Sequence, residues 1–187
     1  MPTVIIRPDA TLSQQGYTPT SNVHANINDD SDSTFGQQTA AVANFRVSFA
    51  NPSFPANTTT INHFNLSVRA SQDRRPTPRI QISINDGSAA YTTFLLPSTG
   101  VFAASATTYT SGDFDTQQDG SSALTTSYFD NFTVDGTPNL DGHKLYELFI
   151  TIDYSVGYGH QILDVPAASI SAVSDVDAAN IDSIIDV

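Results

Sequence analysis

Wherever apolar residues gather in this chain they alternate with polar ones, and a period of two commits such segments to strands. Phe45, Val47 and Phe49 point one way while Arg46 and Ser48 point the other. Phe64, Leu66, Val68 and Ala70 alternate in the same manner with His63, Asn65, Ser67 and Arg69, and Ile80, Ile82 and Ile84 with Gln81 and Ser83. These two runs read as neighbouring strands separated by an Arg- and Pro-containing loop. Leu145 to Tyr154 is the most strongly patterned segment. It puts Leu148, Ile150, Ile152 and Tyr154 on a core face and Glu147, Thr151 and Asp153 toward water, which predicts a central strand.

The connections carry turn chemistry. Asn85-Asp86-Gly87 supplies the residue types that accept positive φ, and the chain resumes at Tyr91 to Leu96 before Pro97 stops it, so a hairpin is expected there. Residues 98 to 122 are rich in Ser, Thr, Gly and Asp, which predicts a long loop or edge strands around Tyr109 and Phe114 rather than core. Helices have little to be built from, because Glu147 is the only Glu and Lys144 the only Lys. Six to nine strands with no convincing amphipathic helix before residue 165 predict an all-β fold, an antiparallel β-sandwich of jelly-roll type, with a closed barrel as the competitor. The sandwich is assigned to residues 1–165. The Val4-Ile5-Ile6 run is either one of its edge strands or an anchoring segment.

Past Pro166 the pattern changes to an extended C-terminal arm, residues 166–187, in which Ala168 to Val176 is echoed eleven residues later by Ala179 to Val187. An eleven-residue period can fit a helix, but the Ser, Asp, Asn and β-branched content opposes a stable isolated one. The arm is expected to order against something else. Its apolar positions, Ile170, Val173, Val176, Ile181, Ile184 and Val187, are the expected partner-binding residues.

Composition excludes several classes of function. A chain of 187 residues can bury a core without covalent help, and the absence of Cys removes disulfides, thiolate nucleophiles and Cys-ligated zinc. A net charge of −12 would repel a phosphate backbone, so no nucleic-acid partner is expected. No signal-like h-region and no apolar stretch of spanning length follows Met1, so neither an export signal nor a membrane span is expected.

Candidate chemistry is sparse. Asn28-Asp29-Asp30-Ser31-Asp32-Ser33-Thr34 sets oxygen ligands at a spacing that hard cations accept, but it lacks the Gly and bidentate Glu of an EF-hand loop, and the same residue types close turns on their own backbone. His24, His63, His143 and His160 show no zinc spacing, and His63 is placed on the outward face of a strand. No nucleophile elbow, phosphate-cradling loop or dinucleotide fingerprint occurs, so no catalytic residue, cofactor or metal is assigned and the chain reads as non-enzymatic. Stacking of Tyr91, Tyr109, Tyr128 or Tyr158 on a sugar, with Asp and Asn taking hydroxyls, is the route to carbohydrate binding; core packing accounts for the same rings equally well.

The acidic loop from Asp29 to Phe35, the strand Phe64 to Ala70, the strand and turn Arg79 to Gly87 and the last strand through Tyr154 resemble a jelly-roll domain widespread in virion proteins of tailed bacteriophages, over about residues 1 to 155. The C-terminal copies are similar to short Ile/Val/Ala repeats that phage structural proteins place against partner subunits, with Asp175 and Asp186 where Gly is common. The resemblance implies a capsid decoration or cement protein, made in the host cytoplasm and standing on the virion surface. Its implied partners are the major capsid protein or other virion proteins, and it implies a homo-oligomer, a trimer by analogy with decoration proteins at threefold positions. The alternative is a receptor- or carbohydrate-binding module of a tail fibre or cell surface.

Overall fold

The alternating segments become strands because each has one apolar face to hide, and two such faces bury each other. The structure is a computed structural model, and it describes residues 2–40, 43–72, 79–85, 92–138 and 142–157, together with the backbone of 172–173 and 176–177. In chain order the strands of the sandwich are β1 (Thr3–Ile6), β2 (Pro8–Gln15), β3 (Tyr17–Thr18), β4 (Gly36–Gln38), β5 (Asn44–Phe49), β6 (Thr58–Gln72), β7 (Ile80–Asn85), β8 (Thr92–Leu96), β9 (Thr107–Thr110), β10 (Thr133–Pro138) and β11 (His143–Val156).

They form two antiparallel sheets. The larger runs β3-β4-β11-β6-β9, with β1 also on β11; the smaller runs β2-β5-β10-β7-β8. Two separate sheets make a jelly-roll-type sandwich and not a closed barrel. β1 and β4 take opposite ends of the same edge of β11, at residues 150–153 and 144–145. Between them the Leu148 N–H donates to the Ile27 carbonyl at 2.9 Å, so the loop after β3 is tied to the sheet edge there.

The expected inward residues are inward. Phe45, Val47, Phe49, Phe64, Leu66, Val68, Ile80, Ile82, Ile84, Leu148, Ile150, Ile152 and Tyr154 are all buried. β11 lies between β6 and the β1/β4 edge, as a central strand should. β7 and β8 pair as the expected hairpin, with Ile84 opposite Thr92; Tyr91 and the turn residues 86–90 lie outside the described residues. Val4-Ile5-Ile6 is an edge strand of the sandwich. Among the described residues the only helical pieces are two 3₁₀ turns, Val23–Asn26 and Thr126–Phe129, and no helix is long and apolar enough to cross a membrane.

Three expectations are corrected. β6 and β7 are not neighbours in one sheet: they belong to opposite sheets, and their apolar faces meet across the core. Residues 98–122 contribute to the core as well as to an edge. Phe102 is fully buried, and Phe114 bridges to Phe64 through backbone bonds of 2.8 and 3.0 Å with the rings stacked at 5.0 Å. Glu147 and Asp153 are on the outward side of β11 but do not face water, because other chain segments cover them.

At the C-terminus, β12 (Ala172–Val173) and β13 (Val176–Asp177) pair with each other and belong to neither sandwich sheet. The first eleven-residue copy therefore contains a hairpin with Val173 opposite Val176. Ile170, Ile181, Ile184 and Val187 lie outside the described residues.

Candidate functional site

The outer face of the larger sheet carries a set of charged and polar side chains from three strands. A bulge in β11 at Tyr146 shifts the register so that Glu147 faces Arg69 of β6, and Arg69 in turn faces Thr108 of β9. These three residues make one row across three strands, all on the face turned away from the core. The next row is Phe149, Ser67 and Thr110, with the Ser67 and Thr110 hydroxyls 2.8 Å apart.

The acidic run of residues 28–34 folds over this face. Asp32 and Arg69 form a bidentate ion pair, with both N···O distances 2.6 Å. The Arg69 guanidinium, bonded to it, holds the Asp32 carboxyl below its usual range. Asp30 lies 3.8 Å from Arg7, whose guanidinium rests 5.6 Å from the centre of the Phe149 ring. Glu147, with 5 % of its surface exposed, shares the lining of one groove with Asp30. Burial first, and then Asp30, raise the Glu147 carboxyl above its ordinary range. Asp29 is spent locally, accepting the Ser31 N–H at 3.2 Å and the Thr34 hydroxyl.

Asp30, Asp32, Arg69, Thr108, Glu147 and Phe149 line an open groove of about 410 Å³. Three carboxyls line it, those of Asp30, Asp32 and Glu147, against the one guanidinium of Arg69, and the Arg7 guanidinium stands 3.8 Å from Asp30 outside the lining. The carboxylates of the acidic loop do not converge on one point. Asp29, Asp30 and Asp32 each turn to a different partner, and no cluster of three or more His, Asp or Glu gathers among the described residues.

The remaining candidates disperse. His63 is on the outward face of β6, 3.9 Å from Asp113. His24 bonds Thr11 at 2.9 Å. His143 is in the core, bonded to Tyr17 at 3.0 Å, and burial pushes its pKa down to about 3. Tyr128 is buried among Phe64, Phe129 and Phe132, and Tyr109 packs on Phe102 at 5.2 Å while accepting the Ala103 N–H, so neither offers a stacking platform. Tyr91, Tyr158 and His160 lie outside the described residues.

Sequence reasoning found the acidic loop and missed Arg7, Thr108, Glu147 and Phe149 as its companions. The only signal was that Arg69 and Glu147 each fall on the polar phase of a strand. Which polar position faces which depends on a bulge, whose one mark in the sequence is the break of phase between the buried Leu145 and Leu148.

No protein-family model and no curated protein sequence matches the chain. Among solved structures it is similar to the C-terminal CBM6 of LamC, a marine laminarinase from Zobellia galactanivorans, at 10 % identity and a TM-score of 0.46, over 81 % of this chain and all of that one.

Proposed function

We propose that the chain is a non-catalytic recognition module whose larger sheet binds a neutral carbohydrate in the groove over Arg69. The observation that supports this most directly is the bidentate Asp32–Arg69 pair set beside the Thr108 hydroxyl and the Phe149 ring in one open groove. A fixed carboxylate–guanidinium pair offers acceptors and donors at the spacing of two adjacent hydroxyls, and a nearby ring accepts the C–H face of a pyranose. The excess of carboxyl groups in the groove, on a chain of net charge −12, favours an uncharged ligand over an anionic one.

The test is a glycan array followed by calorimetry on the best glycan, using the full chain and the variants Arg69→Ala and Asp32→Ala. Both variants should weaken binding at least tenfold while melting near the parent temperature. Binding that neither variant alters, or no binding by any glycan, would remove the groove from consideration.

A second reading is a virion structural protein of the decoration type, whose 166–187 arm anchors on the major capsid protein. It is favoured by the β12–β13 hairpin, since a two-stranded hairpin in a sheet of its own is marginal in water and gains from a partner surface. The partner would add its binding free energy to shell assembly. Co-sedimentation with undecorated phage heads, comparing the full chain with one ending at Pro166, tests it. Saturable binding by the full chain alone supports the anchor, and binding by neither excludes it.

A further inference from the structure

The two edges of the smaller sheet are finished differently. The outer edge of β2 is closed by the chain that follows it: the Val23 N–H donates to Gln14 Oε1 at 2.8 Å, the His24 N–H to Thr11 Oγ1 at 3.0 Å, and Asn28 Nδ2 to the Pro8 carbonyl at 3.0 Å. β8, at the opposite edge, is paired with β7 on one side, and on the other its backbone bonds to nothing among the described residues. Such an edge is a row of unmet donors and acceptors at strand spacing, and it templates pairing with another strand unless something blocks it.

The usual blocks are missing from β8. It contains no charged residue and no proline, and its register on β7 runs without a bulge. Phe94 and Leu96 turn toward the core side, while Thr93 and Leu95 are exposed, Leu95 at 38 %.

Charge decides what can approach. The formal net charge of −12 makes a second copy repel most of this surface, yet residues 87–112 contain no Asp, Glu, Lys, Arg or His. The described part of that stretch lies along one side of the sandwich: Phe94 of β8 meets Phe114 at 5.5 Å, and Phe114 bridges to Phe64 on the edge of β6 that also carries β9. Val101, between β8 and β9 in sequence, is a further exposed apolar residue of this side. A partner recognised by its charge has nothing to hold here. An identical strand meets β8 with the same length, the same apolar pattern and no like charge to oppose it.

We propose that β8 is the seam of a two-fold dimer, in which it pairs antiparallel with β8 of a second copy and the two five-stranded sheets become one. Pro97 follows the strand and has no N–H to give, so the five residues Thr92–Leu96 centre on Phe94. That centre sets Thr93 of each copy opposite Leu95 of the other. The seam belongs to the smaller sheet and rests on no reading of what the Arg69 groove binds.

The test is sedimentation equilibrium of the full chain from micromolar to millimolar concentration, at low and high salt. The parent should form a dimer and nothing larger, tightening at least threefold as salt screens the repulsion between like-charged copies. The double variants Thr93→Asp/Leu95→Asp and Thr93→Lys/Leu95→Lys each put like charges directly opposite across the seam, and each should weaken self-association at least tenfold. Mixed in equal amounts, the two variants should form a dimer again, which shows that both are folded and fixes the register. Leu12→Asp, which adds the same charge at an exposed apolar residue of β2, should leave the dimer intact. A monomer at every concentration, a trimer, association that salt weakens, self-association unchanged in both double variants, a mixture that stays monomeric, or a dimer lost in Leu12→Asp would each overturn the proposal.

Discussion

Gly136 of β10 lies directly beneath the ring of Phe45 on β5: a Cβ at position 136 would stand 2.2 Å from Cζ and 2.3 Å from Cε1 of that ring. The two residues are paired in register across the middle of the smaller sheet, and Phe45 also meets Tyr17 edge-on at 5.6 Å. The ring thus fills the space that a side chain would otherwise take, which is why a strand interior tolerates a glycine here.

Gly136→Ala is accordingly expected to destabilise the fold by about 1–3 kcal/mol, since the ring must leave its well or the strands must part. Urea unfolding measures this. Combining it with Phe45→Leu should recover part of the loss, and a loss unaffected by the second change would mean that the ring is not the obstacle.

Phe64 is the hub of the aromatic cluster, with Phe114, Phe129, Phe132 and Tyr128 all within 6 Å between ring centres. Phe64→Ala should cost about 3–5 kcal/mol, the range for truncating a buried Phe. Part of that loss should be local, because Phe114 and the edge it carries depend on this ring. Hydrogen exchange at residues 107–116 should therefore speed up more than exchange in β5 and β10.

His143 gives the fold a defined acid sensitivity. Burial holds it neutral until about pH 3, whereas the unfolded chain protonates a histidine near 6.5. Between those values the unfolded state binds the extra proton, so stability rises with pH there and is lost as pH falls, by up to about 1.4 kcal/mol per pH unit for this one group. Comparing urea midpoints of the parent and His143→Gln across that window isolates the effect. A difference between the two that does not change with pH would disprove it.

Glu147 works in the opposite direction. Its folded pKa is raised by burial and by Asp30, against Arg7 and Arg69, so the native state keeps this proton after the unfolded chain has released it. Stability from this group is present below the unfolded carboxyl range and declines as pH rises through the folded value. Glu147→Gln cannot ionise, so its stability relative to the parent should increase as pH rises from acid toward neutral. A parallel pair of pH–stability curves would show that Glu147 is not held protonated.

The chain's own pattern determined that it forms a β-sandwich and which residues line its core, because alternation is a local property and each apolar face must find cover. Phe45, Val47 and Phe49, or Leu148, Ile150 and Ile152, could be assigned inward one strand at a time. The tertiary structure alone decided how strands were shared between sheets, separating β6 from β7, and brought Phe102 into the core and Phe114 against it from a polar stretch. It also decided the groove. Arg69, Thr108 and Glu147 are far apart in the chain and equally polar in pattern, and they meet only because a bulge at Tyr146 sets the register of β11 on β6. Periodicity reports which side of a strand a residue takes, while register and sheet order arise from contacts between distant segments, which no single stretch of sequence contains.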